Sequence, residues 1–333
     1  MVHAARRFSV AACVLALSTF AGGTASAIVG GSPSSAEQDF TVMLVFSDPA
    51  KNLRSICTAA LVAPRLVLTA RHCVAPTDLD VQCSVDGTAV AGGGVRASHD
   101  PQKLYVLTGS SRPNLDPATW KPAGRGAEVL DDGANNLCNH DLALVLLEAP
   151  IEGVPIAGLR LDGDADEGEV LTTVGWGVTN AENEPALRQQ RTSVKVTRVG
   201  PDSASPVLTP NEVSFGESIC LGDSGGPVLS ASTGAVVGVV SRGGNGTTSN
   251  DLASECTDAV NLFTKLSPFR DLFTRAFTKA AAEPRLEVRP ADDDGGGCTI
   301  TRARPRAPLA PLTFVAVAIA LAARSRRRRV PTA

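Results

Sequence analysis

The chain has 333 residues, 43% of them hydrophobic, and a formal net charge of −3. That length supports one large or two small cores, and the near-neutral balance gives no support for a nucleic-acid partner, because basic residues dominate only the extreme C-terminus. Aromatic residues are sparse at 4%, so Val, Leu, Ala and Gly must do most of the packing.

The N-terminus carries Arg6 and Arg7, then an apolar stretch over residues 8–20, then small residues ending in Ala25-Ser26-Ala27. This is the tripartite pattern of a secretory signal peptide, residues 1–27. The apolar stretch is too short to span a bilayer comfortably. The cut expected after Ala27 falls directly before Ile28, which opens the tetrapeptide "IVGG".

From Ile28 to residue 282 the chain reads as short strands punctuated by Gly, Pro, Asn and Asp. Nine runs stand out in order: "TVMLVF", "RLVLTA", "LYVLTG", "LALVLLE", "EVLTTVGWG", "TSVKVTRV", "PVLS", "AVVGVVS" and "NLFTKL". Such spacing argues for a sandwich or barrel rather than βαβ units. One helix closes the region: Phe269, Leu272, Phe273, Ala276 and Phe277 recur at helical spacing behind Ser267-Pro268. No internal repeat is strong enough to use. Residues 283–297 turn polar and rich in Pro, Gly and charge, as a flexible stalk would be. Cys298, an apolar run over residues 309–323 and "RSRRRR" follow.

Of eight cysteines, Cys13 leaves with the leader and Cys298 stands alone. Six remain between them, an even number that suggests disulfides in an exported domain. They contain no Cys-x-x-Cys element, so zinc is not expected, and nothing calls for another metal or an organic cofactor. The acidic run "DGDADEGE", residues 162–169, fails the calcium-loop template: Glu167 takes the required glycine position and Thr173 the closing glutamate position. It reads as a solvated connection.

Three segments carry chemistry: "LVLTARHCV" with His72, "NHDLALVLL" with Asp141, and "GDSGGPVL" with Ser224. Singly, each has a bland reading as surface residue, turn residue or turn. Together they meet a demanding specification. A serine hydroxyl is a poor nucleophile at neutral pH; it needs a neutral imidazole to take its proton and a buried carboxylate to fix that imidazole's tautomer. Glycines beside the serine let backbone N–H groups turn toward a developing oxyanion, with Gly222 and Ser224 the natural donors. The order His, Asp, Ser differs from the subtilisin and α/β-hydrolase orders.

With "IVGG", "LTARHC", "DLAL", "VGWG", "GDSGGP" and "VVSRGG" all present, the chain from Ile28 through the closing helix resembles the trypsin/chymotrypsin family of serine endopeptidases. The resemblance implies an all-β fold of two six-stranded antiparallel barrels with a C-terminal helix, dividing near residues 155–165. It implies His72 as general base, Asp141 as its orienting acid and Ser224 as nucleophile. It further implies that Ser241 supports Asp141, and that Ser241, Arg242 and Gly243 line the substrate, which pairs as an added strand. A freed Ile28 ammonium would pair with Asp223 and order the oxyanion hole, so signal peptidase would both export and activate the enzyme. Cys57 would pair with Cys73 and Cys220 with Cys256, which leaves Cys83 and Cys138 for each other. Protein or peptide substrates are implied throughout.

Specificity departs from the pattern. Ser218 falls at the base of the primary pocket, where cleavage after Lys or Arg would need an acidic residue. Asn261 falls on a wall usually kept open by glycine, unless the insertion over residues 244–254 shifts the register. Small or medium apolar residues before the scissile bond are expected. Arg242 stands where tryptophan is usual. Arg71 replaces a small residue before His72 and faces either solvent or the cleft; His140 and His99 read as ordinary neighbours. The C-terminus resembles bacterial sorting tags of the MYXO-CTERM type, with a Gly-Cys motif at Cys298, a short apolar helix and an arginine cluster. A sorting protease would cut near Cys298; the alternative is a plain membrane anchor. Either places the barrels at the cell surface or outer envelope, or releases them. The rival function is a catalytically silent, surface-displayed binding protein on the same fold.

Overall fold

The computed structural model describes residues 28, 30–179, 184–247 and 252–289. One compact unit ends at Arg289. The leader and residues 290–333, with Cys298 and the expected tail, lie outside the described residues. Among the described residues no helix is long and apolar enough to cross a membrane.

The first barrel is built from β1 (Thr41–Asp48), β2 (Leu53–Ala63), β3 (Leu66–Thr69), β4 (Leu104–Leu107), β5 (Gly124–Leu130) and β6 (Ala143–Leu147), closed in the order β1-β2-β3-β6-β5-β4. The second contains β7 (Val170–Gly175), β8 (Gln189–Val199), β9 (Glu212–Phe215), β10 (Pro227–Ser230), β11 (Val236–Gly244) and β12 (Val260–Lys265). Its strands run β7-β8-β9-β12-β11-β10 and return to β7. The two cycles are the same, and every pairing in them is antiparallel. Within each six-strand cycle every strand is paired on both sides, and Ser32–Pro33 adds a two-residue strand against β8.

The nine runs seen in the sequence supply nine of the twelve barrel strands; β2, β5 and β9 escape the pattern. The N-terminal half of β2 and much of β5 are solvent-facing or half-buried, so their runs are polar or mixed. The β9 strand is short, and its fully buried run includes a charged residue, Glu212. Barrel interiors are filled by aliphatics such as Val42, Leu44, Leu61 and Val145 in the first, and Leu171, Val194 and Val228 with Phe215 and Phe263 in the second.

A 3₁₀ turn, Ser267–Phe269, leads into α1 (Arg270–Ala280), which buries Leu272, Phe273, Ala276 and Phe277 as their spacing predicts. Burial of each large apolar side chain is worth about 1.5–3 kcal/mol. The chain then turns back. Leu159 N–H donates to Arg285 O (2.7 Å) and Glu287 N–H to Leu159 O (2.9 Å). Buried Arg160 donates to both Glu169 and Glu287, and chiefly these Arg160 bonds push the Glu287 carboxyl down to about 2. Ordered contacts therefore run past residue 282, and the first part of the expected stalk belongs to the barrel unit.

The acidic run over residues 162–169 is spent on ion pairs: Asp162 with Arg270, Asp164 with Lys265 and Glu169 with Arg160.

Candidate active site

Strand register delivers the first two residues. The β3–β6 ladder pairs Thr69 with Ala143, so the chain leaving β3 and the chain entering β6 emerge side by side. His72 lies in the 3₁₀ turn Arg71–Cys73 just beyond Thr69. Asp141 lies two residues before β6 and is 1% exposed. The Cys57–Cys73 disulfide ties that turn back to β2.

Asp141 is fully engaged. The His72 backbone N–H donates to Oδ1 at 3.0 Å, the His72 ring Nδ1 lies 2.9 Å from Oδ2, and Ser241 Oγ donates to Oδ2 at 2.6 Å. Burial alone would raise the Asp141 pKa, but the charge and hydrogen bond of His72, with the Ser241 bond, hold it below its ordinary value. Burial opposes charge on His72, and Arg242 does too; the Asp141 charge and hydrogen bond outweigh them and raise the imidazole pKa. With Nδ1 committed to Asp141, Nε2 is the ring's remaining basic atom.

Ser224 lines the same cleft as His72, Asp141 and Ser241, a space of about 910 Å³. It sits on the β9–β10 connection, which a residue of the other barrel fixes. Thr58 N–H donates to Ser224 O (2.9 Å), Thr58 Oγ1 donates to Gly222 O (2.9 Å), and Trp176 N–H donates to Thr58 Oγ1 (3.1 Å). Thr58 carried no sequence signal, because its role depends on a contact across the barrel seam. The backbone needs glycine here. Gly225 has φ +75°, and a Cβ on it would lie 2.1 Å from Thr69 Oγ1. Gly222 has φ +100°. Among the described residues neither the Gly222 nor the Ser224 N–H has an acceptor, so both remain available as donors.

Asp223 is 1% exposed and accepts Gly177 N–H (2.8 Å) and Cys220 N–H (2.9 Å). Glycines at 175 and 177 give it room, since a Cβ on either would lie 2.1 or 2.3 Å from its carboxylate. Burial pushes its pKa up to about 7, against those two bonds and the charge of Arg112. Ile28 is also buried.

The specificity residues sort differently. Asn261 pairs with Gly243 across β11–β12 and is 1% exposed. Its Nδ2 donates to Gly216 O (3.1 Å), while a Cβ on Gly243 would lie 2.1 Å from its Oδ1. Asn261 thus fills the space between two glycines. Ser218 is fully buried, its hydroxyl without a partner among the described residues, and it does not line the cleft. Arg242 lines the cleft, pairs with buried Glu212 and lies 3.8 Å from Cys83 Sγ. Glu212 is a second residue that the sequence kept hidden. Residues 248–251 of the pocket insertion fall outside the described backbone, while Asn245 straps the base of that insertion to Ser254 and Thr257.

Arg71 faces neither solvent nor cleft: it is buried and paired with Asp131. His99 stacks on Phe46 at 3.6 Å. Cys83–Cys138 and Cys220–Cys256 close as disulfides. Cys57, His72 and Cys73 sit close enough to suggest metal ligands, but both sulfurs belong to one disulfide.

Two like barrels, with a His–Asp pair from one and a serine turn from the other opening on one cleft, define the chymotrypsin-like architecture. The trypsin family matches residues 28–269, and the chain belongs to that family of serine proteases. It is 28% identical over 200 residues to a cercarial protease of Schistosoma mansoni, covering 57% of this chain and 71% of that one. A trypsin of Saccharopolyspora erythraea is 27% identical over 228 residues (65% and 86%). A chymotrypsin of Phaedon cochleariae is 25% identical over 226 (64% and 69%). The three disulfides among the described residues fit a protein exported to an oxidising compartment.

Proposed function

We propose that the chain is an exported serine endopeptidase acting through an acyl-enzyme on Ser224. His72 Nε2 takes the Ser224 proton as Oγ attacks the scissile carbonyl carbon. The oxyanion is held by the Gly222 and Ser224 N–H groups, and Asp141 steadies the imidazolium. Collapse breaks the C–N bond as His72 returns the proton to the leaving amine; water then deacylates the serine by the same base. The observation that carries this reading is the threefold engagement of Asp141, by the His72 backbone, the His72 ring and Ser241, at the edge of the cleft that Ser224 lines.

Removal of residues 1–27 by signal peptidase would free the Ile28 ammonium. Asp223 supports that switch: a buried carboxylate with two backbone donors and a raised pKa gains most from an arriving cation. The filled wall at Asn261 favours small residues before the scissile bond. Beyond the barrels, the tail would be processed near Cys298 by a sorting protease or kept as a membrane anchor, with the enzyme at the cell surface or released.

The test is fluorophosphonate labelling of the chain beginning at Ile28, beside Ser224→Ala. Labelling confined to the parent is expected. No labelling in folded protein confirmed to start at Ile28 would overturn the reading and favour a silent binding protein.

A further inference from the structure

Residues 131 and 132 form one turn beyond β5, and each carboxylate reaches the residue just ahead of one member of the His72–Asp141 pair. Arg71, before His72, has a side chain only 8% exposed. Its Nη2 lies 3.3 Å from Asp131 Oδ2, and its Nη1 donates to Ser98 Oγ at 2.8 Å. His140, before Asp141, has its Nδ1 2.5 Å from Asp132 Oδ2. The turn is itself fastened, because Gly133 N–H donates to Asp131 Oδ1 (2.7 Å) and Ala134 N–H to Asp132 Oδ1 (3.1 Å).

The β3–β6 ladder does not extend to the reacting residues; its last pair is Thr69 with Ala143. Beyond it, the Cys57–Cys73 disulfide holds the His72 turn to β2, and side-chain contacts remain to set how closely His72 and Asp141 meet. A buried guanidinium is costly without a carboxylate, so Arg71 is tied to wherever Asp131 sits, and Asp131 is bonded in sequence to the carboxylate that holds His140.

We propose that Asp131 and Asp132 are positioning residues: their turn brackets the backbone ahead of His72 and ahead of Asp141, and so sets the geometry in which those two side chains meet. This rests on the reading of His72 and Asp141 as base and orienting acid. Misplacement by about 1 Å can cost ~10²-fold in rate, so a partial loosening should be readable.

The experiment measures kinact and KI for fluorophosphonate labelling of the processed chain across pH. The variants are Asp131→Asn, Asp131→Glu, Asp132→Asn and His140→Gln, each with near-ultraviolet dichroism as the folding check. For Asp131→Asn the expected result is a ~10-fold lower kinact at unchanged KI, with the acid limb moved to lower pH as Asp141 loosens its hold on the imidazole. Asp131→Glu should recover most of the rate. Should Asp131→Asn fail to fold, the more exposed Asp132–His140 pair decides, and labelling at the parent rate in both of its variants overturns the proposal. A parent that shows no Ser224-dependent labelling sinks the catalytic reading, and the bracket with it. A labelled parent with folded variants at the same rate sinks the bracket alone.

Discussion

In the first barrel, His72 and Asp141 leave neighbouring strands whose register already places them side by side, and a disulfide pins the turn between. In the second, Ser224 sits on a connection that contains the buried Asp223 carboxylate and is hydrogen-bonded to Thr58 of the opposite barrel. The strand cycles are identical, so the contrast lies in the loops. One half of the site is assembled by sheet pairing; the other, on the proposed reading, would be completed by the ammonium of a freed Ile28 arriving at Asp223. Variants can break either half separately.

The largest effect is expected from Asp141→Asn, which leaves the register intact but lets His72 take the wrong tautomer. A fall of ~10⁴ in kcat is expected. In the parent, the acid limb of the pH profile should lie above the ordinary histidine value, because Asp141 raises the imidazole pKa; in the variant that limb should move down.

On the other half, leaving one residue ahead of Ile28 should lower labelling by about 10²–10⁴-fold, on ~3–5 kcal/mol for an uncompensated buried charge. The same chain gives a pH test. Asp223 has a folded pKa of about 7 against 3.8 for the free group, so between those values the folded chain binds a proton that the unfolded chain has released. The stabilisation is full below the ordinary carboxylate value and is lost as pH rises to about 7, a difference on the order of 4 kcal/mol. Thermal midpoints of the extended chain should therefore fall between pH 4 and 7. A chain starting at Ile28, its ammonium paired, should show a flatter curve.

Thr58→Val probes the seam between the halves. It keeps the shape and strand but removes the hydroxyl between half-buried Gly222 O and buried Trp176 N–H, leaving both backbone groups without that partner at up to ~1–3 kcal/mol for the buried one. About tenfold slower labelling is expected, read at matched folded fraction. Asn261→Gly should leave the labelling rate unchanged but open the space beside Gly243. A peptide library should then show ~10–200-fold better use of larger apolar side chains, the range for a pocket altered by a methylene or so. The smallest effect belongs to Glu287→Gln, far along the chain from the triad. Weakening a bond to a charged group by ~1–3 kcal/mol should lower the thermal midpoint by a few degrees, speed proteolysis after residue 282 and leave labelling untouched.

Much of this was legible before folding. Nine strands, the closing helix and the three site segments are local signals: apolar runs, helical spacing, and glycines flanking a serine. The missed strands β2, β5 and β9 are those whose side chains are half solvated or include a charge, so hydropathy has little to report. The shared strand cycle of the two barrels leaves no sequence repeat, because a barrel demands alternation and closure rather than particular residues. Arg71 shows the same limit from another side. Its neighbours in sequence offered solvent or cleft, and the answer was a carboxylate sixty residues on.

The sequence by itself determined which residues could perform the chemistry and the family to which they belong, since nucleophile, base and acid are fixed by side-chain chemistry in short segments. Tertiary structure alone decided how they are held: Thr58 across the seam, Glu212 under Arg242, Asn261 between Gly216 and Gly243, and the turn at Asp131 and Asp132. Each of those joins groups far apart along the chain. The hydrogen bonds and ion pairs concerned exist once folding has buried both partners, so no local pattern announces them.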